Sequence, residues 1–250
     1  MDGNSLPDLT VFRPLDIERY AKRLSLESRG AERGAADQPP SDALTLDDIE
    51  SEIVGGIVAE VEKLGLREKT LIIFSADNGT ALSYPNTIGG RMINGKKASM
   101  LEGGSRVPYI VSWPGVTPAG KVSTDIISIA DQLPTFAELA GAPAPTGIDG
   151  QSIVPTLLGD RPQSAREPLY WETVAGGHQA VRMGDWKGLR LGAAKKPDAP
   201  IQLFNLATDP GETTDVAAGH PDIVSKVAAF LKSSRVPSPE FPMGQLDQNP

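Results

Sequence analysis

An aspartate, an asparagine and a glycine follow directly on an apolar stretch of the chain, in the sequence FSADNG. The stretch Thr70–Ser75 is apolar on both faces, which predicts a buried strand of a parallel sheet. Ligands bind beyond the carboxyl ends of such strands. Asp77 and Asn78 carry hard oxygen atoms of the kind that Ca²⁺ or Mg²⁺ prefers. These residues indicate a metal site at a strand end. The alternative is an ordinary turn, because Asp, Asn and Gly are all common in turns.

A second stretch, GKKASMLEGGSRVP, places two lysines, an acid, a Gly-Gly pair and an arginine before another apolar strand. A lysine on a glycine-rich loop can serve as a point charge for a tetrahedral oxyanion such as phosphate or sulfate. Glu102 and Arg106 are four residues apart and can pair with each other. We interpret that pair as structural, because paired charges commonly shape loops without touching a substrate.

The composition excludes several classes of site. The formal net charge of −8 argues against a broad nucleic-acid surface. The chain contains no cysteine, so a disulfide, a thiolate zinc site and a cysteine nucleophile are all excluded. The two histidines, His178 and His220, are too few for a multi-histidine metal centre. No apolar run approaches the roughly 20 residues that cross a bilayer, and the first residues lack the pattern of a secretory signal.

The pattern of elements predicts an α/β protein in three parts. Residues 1–43 are expected to form a loosely ordered segment and linker. A capping pattern at Thr45–Asp48 opens an amphipathic helix, and the α/β body is predicted over residues 44–160. Four short strand-like runs and one helix follow, which predict a small antiparallel sheet with a helix over residues 161–250.

Several of these stretches together resemble a known family. LIIFSADNG, GKKASMLEGGSRVPYIVSWPG, SIADQLPTFAELAG and GIDGQSIVPTLLG are similar to the C-terminal half of the sulfatases, the arylsulfatase type of the alkaline-phosphatase-like superfamily. The tail from LYWETV to HPDIV is similar to that family's C-terminal subdomain. The resemblance covers roughly residues 44–241 and implies part of an alkaline-phosphatase-like parallel-sheet body with a small antiparallel subdomain.

The resemblance also implies roles for individual residues. Asp77 and Asn78 fall on two ligands of a divalent cation, usually calcium. Lys97 falls on the family's lysine five residues before Glu-Gly-Gly, which contacts the sulfate group. The remaining matches belong to a loop signature that looks architectural, namely Glu102, Gly103, Gly104 and Arg106.

The chain also departs from the family's pattern. The family's nucleophile is a formylglycine made in a Cys/Ser-x-Pro-x-Arg stretch, and the nearest candidate here, SRVPSPEF, does not fit. The paired acids that complete the metal site have no counterpart on a strand end, and Asp47-Asp48 is better explained as a helix cap. His178 and His220 have no acid or nucleophile partner by spacing, so we interpret both as surface or capping residues.

The implied function is sulfuric ester hydrolysis of the arylsulfatase type, on a sulfate ester or a sulfated glycan. Because the nucleophile and half of the metal site are missing, we expect this truncated sulfatase to be inactive alone, with weak or absent Ca²⁺ or Mg²⁺ binding.

One alternative is a non-catalytic sulfatase-like protein for binding or interaction; another is a phosphoryl or phosphonate ester hydrolase. Expected partners are a complementary N-terminal half or a second copy, with no nucleic acid or membrane span. The family is often periplasmic, secreted or lysosomal, and the sequence does not fix the compartment.

Overall fold

A computed structural model describes residues 46–79, 86–88 and 91–248. The chain divides into two units, Met1–Glu60 and Val61–Pro250. The predicted loosely ordered segment at residues 1–43 lies outside the described residues, and the predicted domain boundaries stay a prediction. None of the helices in the described part is both long and apolar enough to cross a membrane.

The described elements begin with the predicted helix and strand and end with the predicted sheet and helix, and the glycine-rich stretch between them contains a short hairpin that the sequence did not predict. The helices are α1 Leu46–Lys63, α2 Glu102–Ser105, α3 Gln132–Leu139, α4 Val154–Leu158 and α5 Pro221–Ser233. The strands are β1 Ile72–Ser75, β2 Asn86–Ile88, β3 Arg91–Ile93, β4 Tyr109–Ser112, β5 Leu169–Thr173, β6 His178–Met183, β7 Trp186–Arg190 and β8 Ile201–Asn205. The helix predicted after the Thr45–Asp48 cap is confirmed as α1.

The pairing of β1 corrects one prediction. The sequence predicted a buried parallel strand at Thr70–Ser75, but β1 pairs with β4 in antiparallel register, with Phe74 opposite Ile110. All four residues of β1 are only half-buried, and Ile110 is 60% exposed. The prediction was wrong on direction because an apolar stretch reports the tendency to be buried, and its side-chain pattern is the same for either direction of pairing.

The C-terminal part is a four-stranded antiparallel sheet in the order β5-β6-β7-β8, which confirms the predicted sheet. One face of this sheet packs on α5. Val181 and Leu203 of the sheet form a buried cluster with Val227 and Leu231 of the helix. The helix approaches most closely over β7, where a Cβ atom built on Gly188 would lie 2.4 Å from Val227 Cγ1.

The opposite face of the same sheet packs on the glycine-rich stretch that precedes α2. Ala180, Leu189 and Phe204 form a second buried cluster, against which Met100 and Leu101 are packed. The sequence GKKASMLEGG therefore lies on the C-terminal sheet, and the sheet supports the loop that carries most of the predicted site residues.

The close contact at Gly188 predicts a stability effect. A Gly188→Ala variant places a methyl group too close to Val227, and overpacking of this kind costs about 1–3 kcal/mol of unfolding free energy. Urea denaturation checks the value. The matched control is Gly219→Ala, where a Cβ atom meets nothing within 4 Å. If Gly188→Ala is as stable as the Gly219→Ala control, α5 does not pack on β7 as described.

Candidate functional site

A cleft of about 440 Å³ opens where β1 ends. Of the residues predicted to form the site, its lining includes Asp77, Glu102, Gly104 and Arg106. The lining does not include Asn78, Gly103 or Lys97, which are each next to a lining residue in the chain. The structure therefore gathers the strand-end motif and the glycine-rich loop around one cavity.

The two motifs are held together through their backbones. The Gly79 N–H donates to the Gly104 carbonyl oxygen over 2.9 Å, and the Gly103 N–H donates to the Asn94 carbonyl over 2.7 Å. A Cβ atom on Gly79 would lie 1.9 Å from the Gly103 oxygen, and one on Gly103 would lie 2.3 Å from the Gly95 oxygen. Only glycine permits backbones to approach this closely. The glycines of Asp-Asn-Gly and Glu-Gly-Gly thus fix the strand end against the loop.

Lys97 lies at the tip of a tight turn in that loop. The Ser99 N–H donates to the Lys96 carbonyl oxygen over 2.8 Å, which makes Lys97 and Ala98 the two central residues of a β-turn. Ala98 has a φ of 70°, in the left-handed region that a type II turn requires at this position. The Lys97 side chain is exposed, and Ala98 and Ser99 line the cleft.

The predicted metal ligands fit a cation by type and not by number. Asp77 is exposed and Asn78 is half-buried, and both offer oxygen atoms suited to Ca²⁺ or Mg²⁺. In the part of the chain that the structure describes, no group of three His, Cys, Asp or Glu side chains could hold a metal ion. Two ligands fall short of the roughly six to eight oxygens that surround Ca²⁺ in proteins.

A buried network of charged side chains connects the Glu-Gly-Gly loop to the C-terminal sheet. Glu102 is 3% exposed, and its Oε1 lies 2.9 Å from Nζ of Lys187, which is fully buried on β7. The same Nζ lies 3.0 Å from Oε1 of Glu212. The Glu102 N–H donates to Oε2 of Glu212 over 2.5 Å, which closes the network. Lys187 therefore ties the Glu-Gly-Gly loop to the C-terminal sheet and to the turn that carries Glu212.

Two arginines approach the other oxygen of Glu102. Arg106 Nη1 lies 3.6 Å and Arg182 Nη1 3.7 Å from Glu102 Oε2. Arg182 is directly opposite Lys187 in the register of β6 and β7, so both cations point from the same sheet face toward the loop. Burial raises the pKa of the Glu212 carboxyl, and the Lys187 ammonium beside it opposes that rise.

The opposite wall of the cleft, which includes residues 123–129, is fixed by the fully buried Asp131. Its carboxylate accepts a hydrogen bond from the Ser128 N–H over 2.7 Å and another from the Gln151 N–H over 2.9 Å. Arg166 forms an ion pair with the same carboxylate and donates to the Ile126 carbonyl over 3.1 Å. The wall is thereby held by charge and backbone hydrogen bonds.

Neither histidine lies in the lining of the cleft. His178 Nδ1 accepts a hydrogen bond from the Gly192 N–H over 2.9 Å, which assigns a structural role to that nitrogen. The His220 ring lies beside Trp186, with 4.7 Å between the ring centroids. Both histidines are half-buried, and their interpretation as surface or capping residues stays a prediction.

Sequence reasoning missed Lys187, Glu212 and Arg182. One signal was available for Lys187, since it sits within WKGLRL, where a strand alternates and a lysine occupies a position flanked by apolar residues. The signal for Glu212 was weaker, because TDPGET reads as an ordinary turn. Nothing in the local sequence connects either residue with Glu102, which is 85 positions from Lys187 and 110 from Glu212.

Comparisons with known proteins agree on one family. Residues 46–142 match the family model described as Sulfatase. The chain is 31% identical over 229 residues to steryl-sulfatase of Mus musculus, and 33% identical over 202 residues to arylsulfatase A of Homo sapiens. The first alignment covers 75% of this chain and 36% of the relative; the second covers 72% and 39%. The chain spans little more than a third of the length of these curated relatives.

Solved structures give the same answer for the fold. The structure of Ps i-CgsB is similar with a TM-score of 0.67 and 26% identity, over 87% of this chain and 53% of that one. A Bacteroides thetaiotaomicron structure titled BT33336S-sulf is similar with a TM-score of 0.61 and 25% identity, over 75% and 43%. These similarities confirm the predicted α/β fold class.

The buried charge network predicts a large effect for Lys187→Met. Removal of the ammonium leaves two carboxylates facing each other in a buried site, which costs about 3–5 kcal/mol of unfolding free energy. Chemical denaturation at neutral pH measures this loss. The matched control is Lys195→Met, at an exposed position, which changes stability by less than about 0.5 kcal/mol.

A triple variant separates the charge effect from lost packing. Glu102→Gln and Glu212→Gln in the Lys187→Met background remove both uncompensated charges, so the triple variant is more stable than Lys187→Met alone. Equal stability of the two variants would show that the carboxylates do not depend on Lys187.

Proposed function

Because the chain belongs to the sulfatase family, we propose that its cleft binds the sulfate group of a sulfuric ester and forms the strand-end part of a hydrolytic site. One observation carries the proposal. The Gly79 N–H donates to the Gly104 carbonyl, and this contact joins the Asp-Asn-Gly motif to the glycine-rich loop beside a cavity that Asp77 and Ala98 line. A divalent cation and a lysine ammonium near one cavity can each contact a different oxygen of the same sulfate group.

Lys97 is the sulfate-binding residue in this proposal. An ammonium at the tip of a rigid turn can hold a sulfate oxygen with a charge-assisted hydrogen bond. Ala98, the left-handed residue after it, fixes the direction of the turn, and Ala98 itself lines the cleft next to the lysine. The conformation of the loop that carries Lys97 is maintained by four further residues, Glu102, Gly103, Gly104 and Arg106.

Asp77 and Asn78 are proposed to contribute two oxygen ligands to a Ca²⁺ or Mg²⁺ ion. When bound, such an ion supplies positive charge that stabilises a sulfate group and the charge that develops on it. The Gly79 N–H bond to the Gly104 carbonyl fixes the backbone directly after the two residues, and Asp77 lines the cleft. The described residues do not by themselves assemble three acidic or histidine ligands, so the site needs further oxygen ligands to hold the ion.

A sulfated sugar is the proposed substrate class. The structure titled Ps i-CgsB in complex with k-i-k-neocarrahexaose, which is similar with a TM-score of 0.66 and 26% identity, contains an oligosaccharide. N-acetylgalactosamine-6-sulfatase of Canis lupus familiaris is 42% identical to this chain over 142 residues. A cleft of about 440 Å³ has room for a sulfated monosaccharide.

Binding without turnover is the expected behaviour of these 250 residues alone. The sequence contains no cysteine and no Ser-x-Pro-x-Arg stretch from which the family's formylglycine is made. Covalent catalysis needs an activated nucleophile, so the residues present can bind and orient a sulfate ester without cleaving it. A non-catalytic binding role for the chain is consistent with the same residues.

The proposal predicts that N-acetylgalactosamine 6-sulfate binds to the 250-residue protein and that Lys97→Ala weakens binding. Loss of one charge-assisted hydrogen bond worth about 1.5–3 kcal/mol lowers affinity by roughly tenfold or more. Isothermal titration calorimetry measures the affinity. The matched control is Lys195→Ala, an exposed lysine outside the cleft lining. Equal affinity in the wild type and Lys97→Ala contradicts the role of Lys97. Turnover of an aryl sulfate that is lost in both Asp77→Ala and Lys97→Ala contradicts the expectation of binding alone.

Calcium titration tests the two metal ligands. With two oxygen ligands from the protein, we expect binding no tighter than about 1 mM, and Asp77→Ala abolishes it. Calorimetry on the wild type, on Asp77→Ala and on the exposed control Asp149→Ala makes the measurement. Saturable binding at micromolar concentration that survives in Asp77→Ala would place the cation elsewhere.

A further inference from the structure

We propose that Arg106 and Arg182 form a second anion-binding position in the cleft, which takes a second sulfate group of the bound sugar. This inference rests on the proposed function, because it assigns the cleft a sulfated sugar with one sulfate group at the Lys97 side. It adds that the preferred ligand is a disulfated sugar, and it names Arg106 and Arg182 as the residues that distinguish a disulfated from a monosulfated sugar.

The two arginines reach the cleft from different parts of the fold. Arg106 follows α2, at the end of the glycine-rich loop, and Arg182 projects from β6 of the C-terminal sheet. Both line the cleft together with Asp77. The same cavity is therefore lined both by the strand end, with the proposed cation ligand Asp77, and by a pair of guanidinium groups.

Their contacts with Glu102 leave hydrogen-bonding capacity unused. The separations of 3.6 Å for Arg106 and 3.7 Å for Arg182 exceed the roughly 2.7–2.9 Å of a charge-assisted hydrogen bond. Both arginines approach Oε2, while Oε1 is held by Lys187 at 2.9 Å. A guanidinium carries five N–H donors. Long contacts to one shared oxygen therefore leave several donors on each arginine for a ligand.

The local charge balance favours an anion. The network around Glu102 contains three cations, from Lys187 and the two arginines, against the carboxylates of Glu102 and Glu212. Lys187 offsets one of the two carboxylates and the arginines together offset the other, so the network has a net charge of one positive unit. This charge is shared by Arg106 and Arg182, whose side chains are 43% and 20% exposed and therefore accessible from the cleft.

Asp77, Asp125 and Glu172 also line the cleft, and the carboxylate of Glu172 does not cancel this surplus. Its Oε2 lies 3.1 Å from Nε of Arg235. The same oxygen accepts a hydrogen bond from the Tyr170 hydroxyl over 2.6 Å. Glu172 is thus compensated by its own partners within the C-terminal part of the chain.

An aromatic ring in the lining fits a sugar. Trp171 lines the cleft and lies on β5, two residues along from Leu169, which is directly opposite Arg182. Trp171 also packs against the buried cluster of Ala180, Leu189 and Phe204, so its ring is held in place. Indole rings present a flat apolar face with a polar edge, which suits the face of a sugar ring beside a charged substituent.

Two sugars that differ by one sulfate group test the proposal. N-acetylgalactosamine 6-sulfate and N-acetylgalactosamine 4,6-disulfate are titrated by calorimetry into the 250-residue protein. Because a bidentate guanidinium–sulfate contact is a strong charge-assisted interaction, the wild type is expected to prefer the disulfated sugar by about tenfold. In Arg106→Gln and in Arg182→Gln this preference falls below about threefold. Arg161→Gln, an exposed arginine outside the cleft lining, retains it.

Three results would overturn the assignment. The first is equal affinity of the wild type for the two sugars, with the monosulfated sugar still bound through Lys97; in that case the proposed function stands. The second is an equal loss of affinity for both sugars in the arginine variants, which would mean that the arginines only hold the loop. The third is no binding of either sugar, which contradicts the proposed function as well.

Protein stability is measured on the same samples. Arg182 is the less exposed of the two arginines and contacts the Gly184 carbonyl over 3.2 Å, so its variant carries the greater risk of misfolding. Arg106→Gln, at the more exposed position, then decides the outcome on a protein whose thermal unfolding matches the wild type. Retention of the tenfold preference in a folded Arg106→Gln protein contradicts its part in the second site.

Discussion

The ammonium of Lys187, buried between the carboxylates of Glu102 and Glu212, is the interaction on which the cleft depends. Three charges removed from water cost much desolvation energy, and close contacts on both sides of the lysine offset that cost. A buried ion network is weak evidence for net stability, and we infer that this one fixes the position of the loop, because any shift leaves a buried charge without its partner. Here the arrangement defines where the Glu-Gly-Gly loop sits on the C-terminal sheet, and hence where one wall of the cleft lies.

The glycines of the Glu-Gly-Gly loop fix the position of the strand end relative to that loop. Gly103 and Gly104 follow Glu102 directly, and their backbones contact Asn94, Gly95 and Gly79 at distances that no side chain would permit. A rigid connection therefore runs from the buried lysine through the loop to the Asp-Asn-Gly motif. The side chains proposed to meet a sulfate ester stand at the end of this connection.

The sequence predicted local features well and distant contacts poorly. The helix α1, the four-stranded sheet and the strand-end motif all have periodic or compositional signals within a few residues. The direction of β1 relative to β4 has no such signal, since the paired residues, such as Ser75 and Tyr109, are distant from each other in the sequence. The partners of Glu102 are more distant still. Arg106 was predicted because a spacing of four residues is visible in a sequence, whereas Lys187 and Glu212 require the complete fold.

The register of β6 and β7 has a consequence for the order of folding. Arg182 and Lys187 are directly opposite each other, and like charges in that arrangement weaken a pair of strands. The hairpin therefore gains its full stability only when Glu102, 85 positions before Lys187, has arrived beside it. Contacts across such sequence separations form late, because loop closure must come first. The backbone amides of this hairpin should thus gain protection from hydrogen exchange together with those of the Glu-Gly-Gly loop, as one cooperative unit.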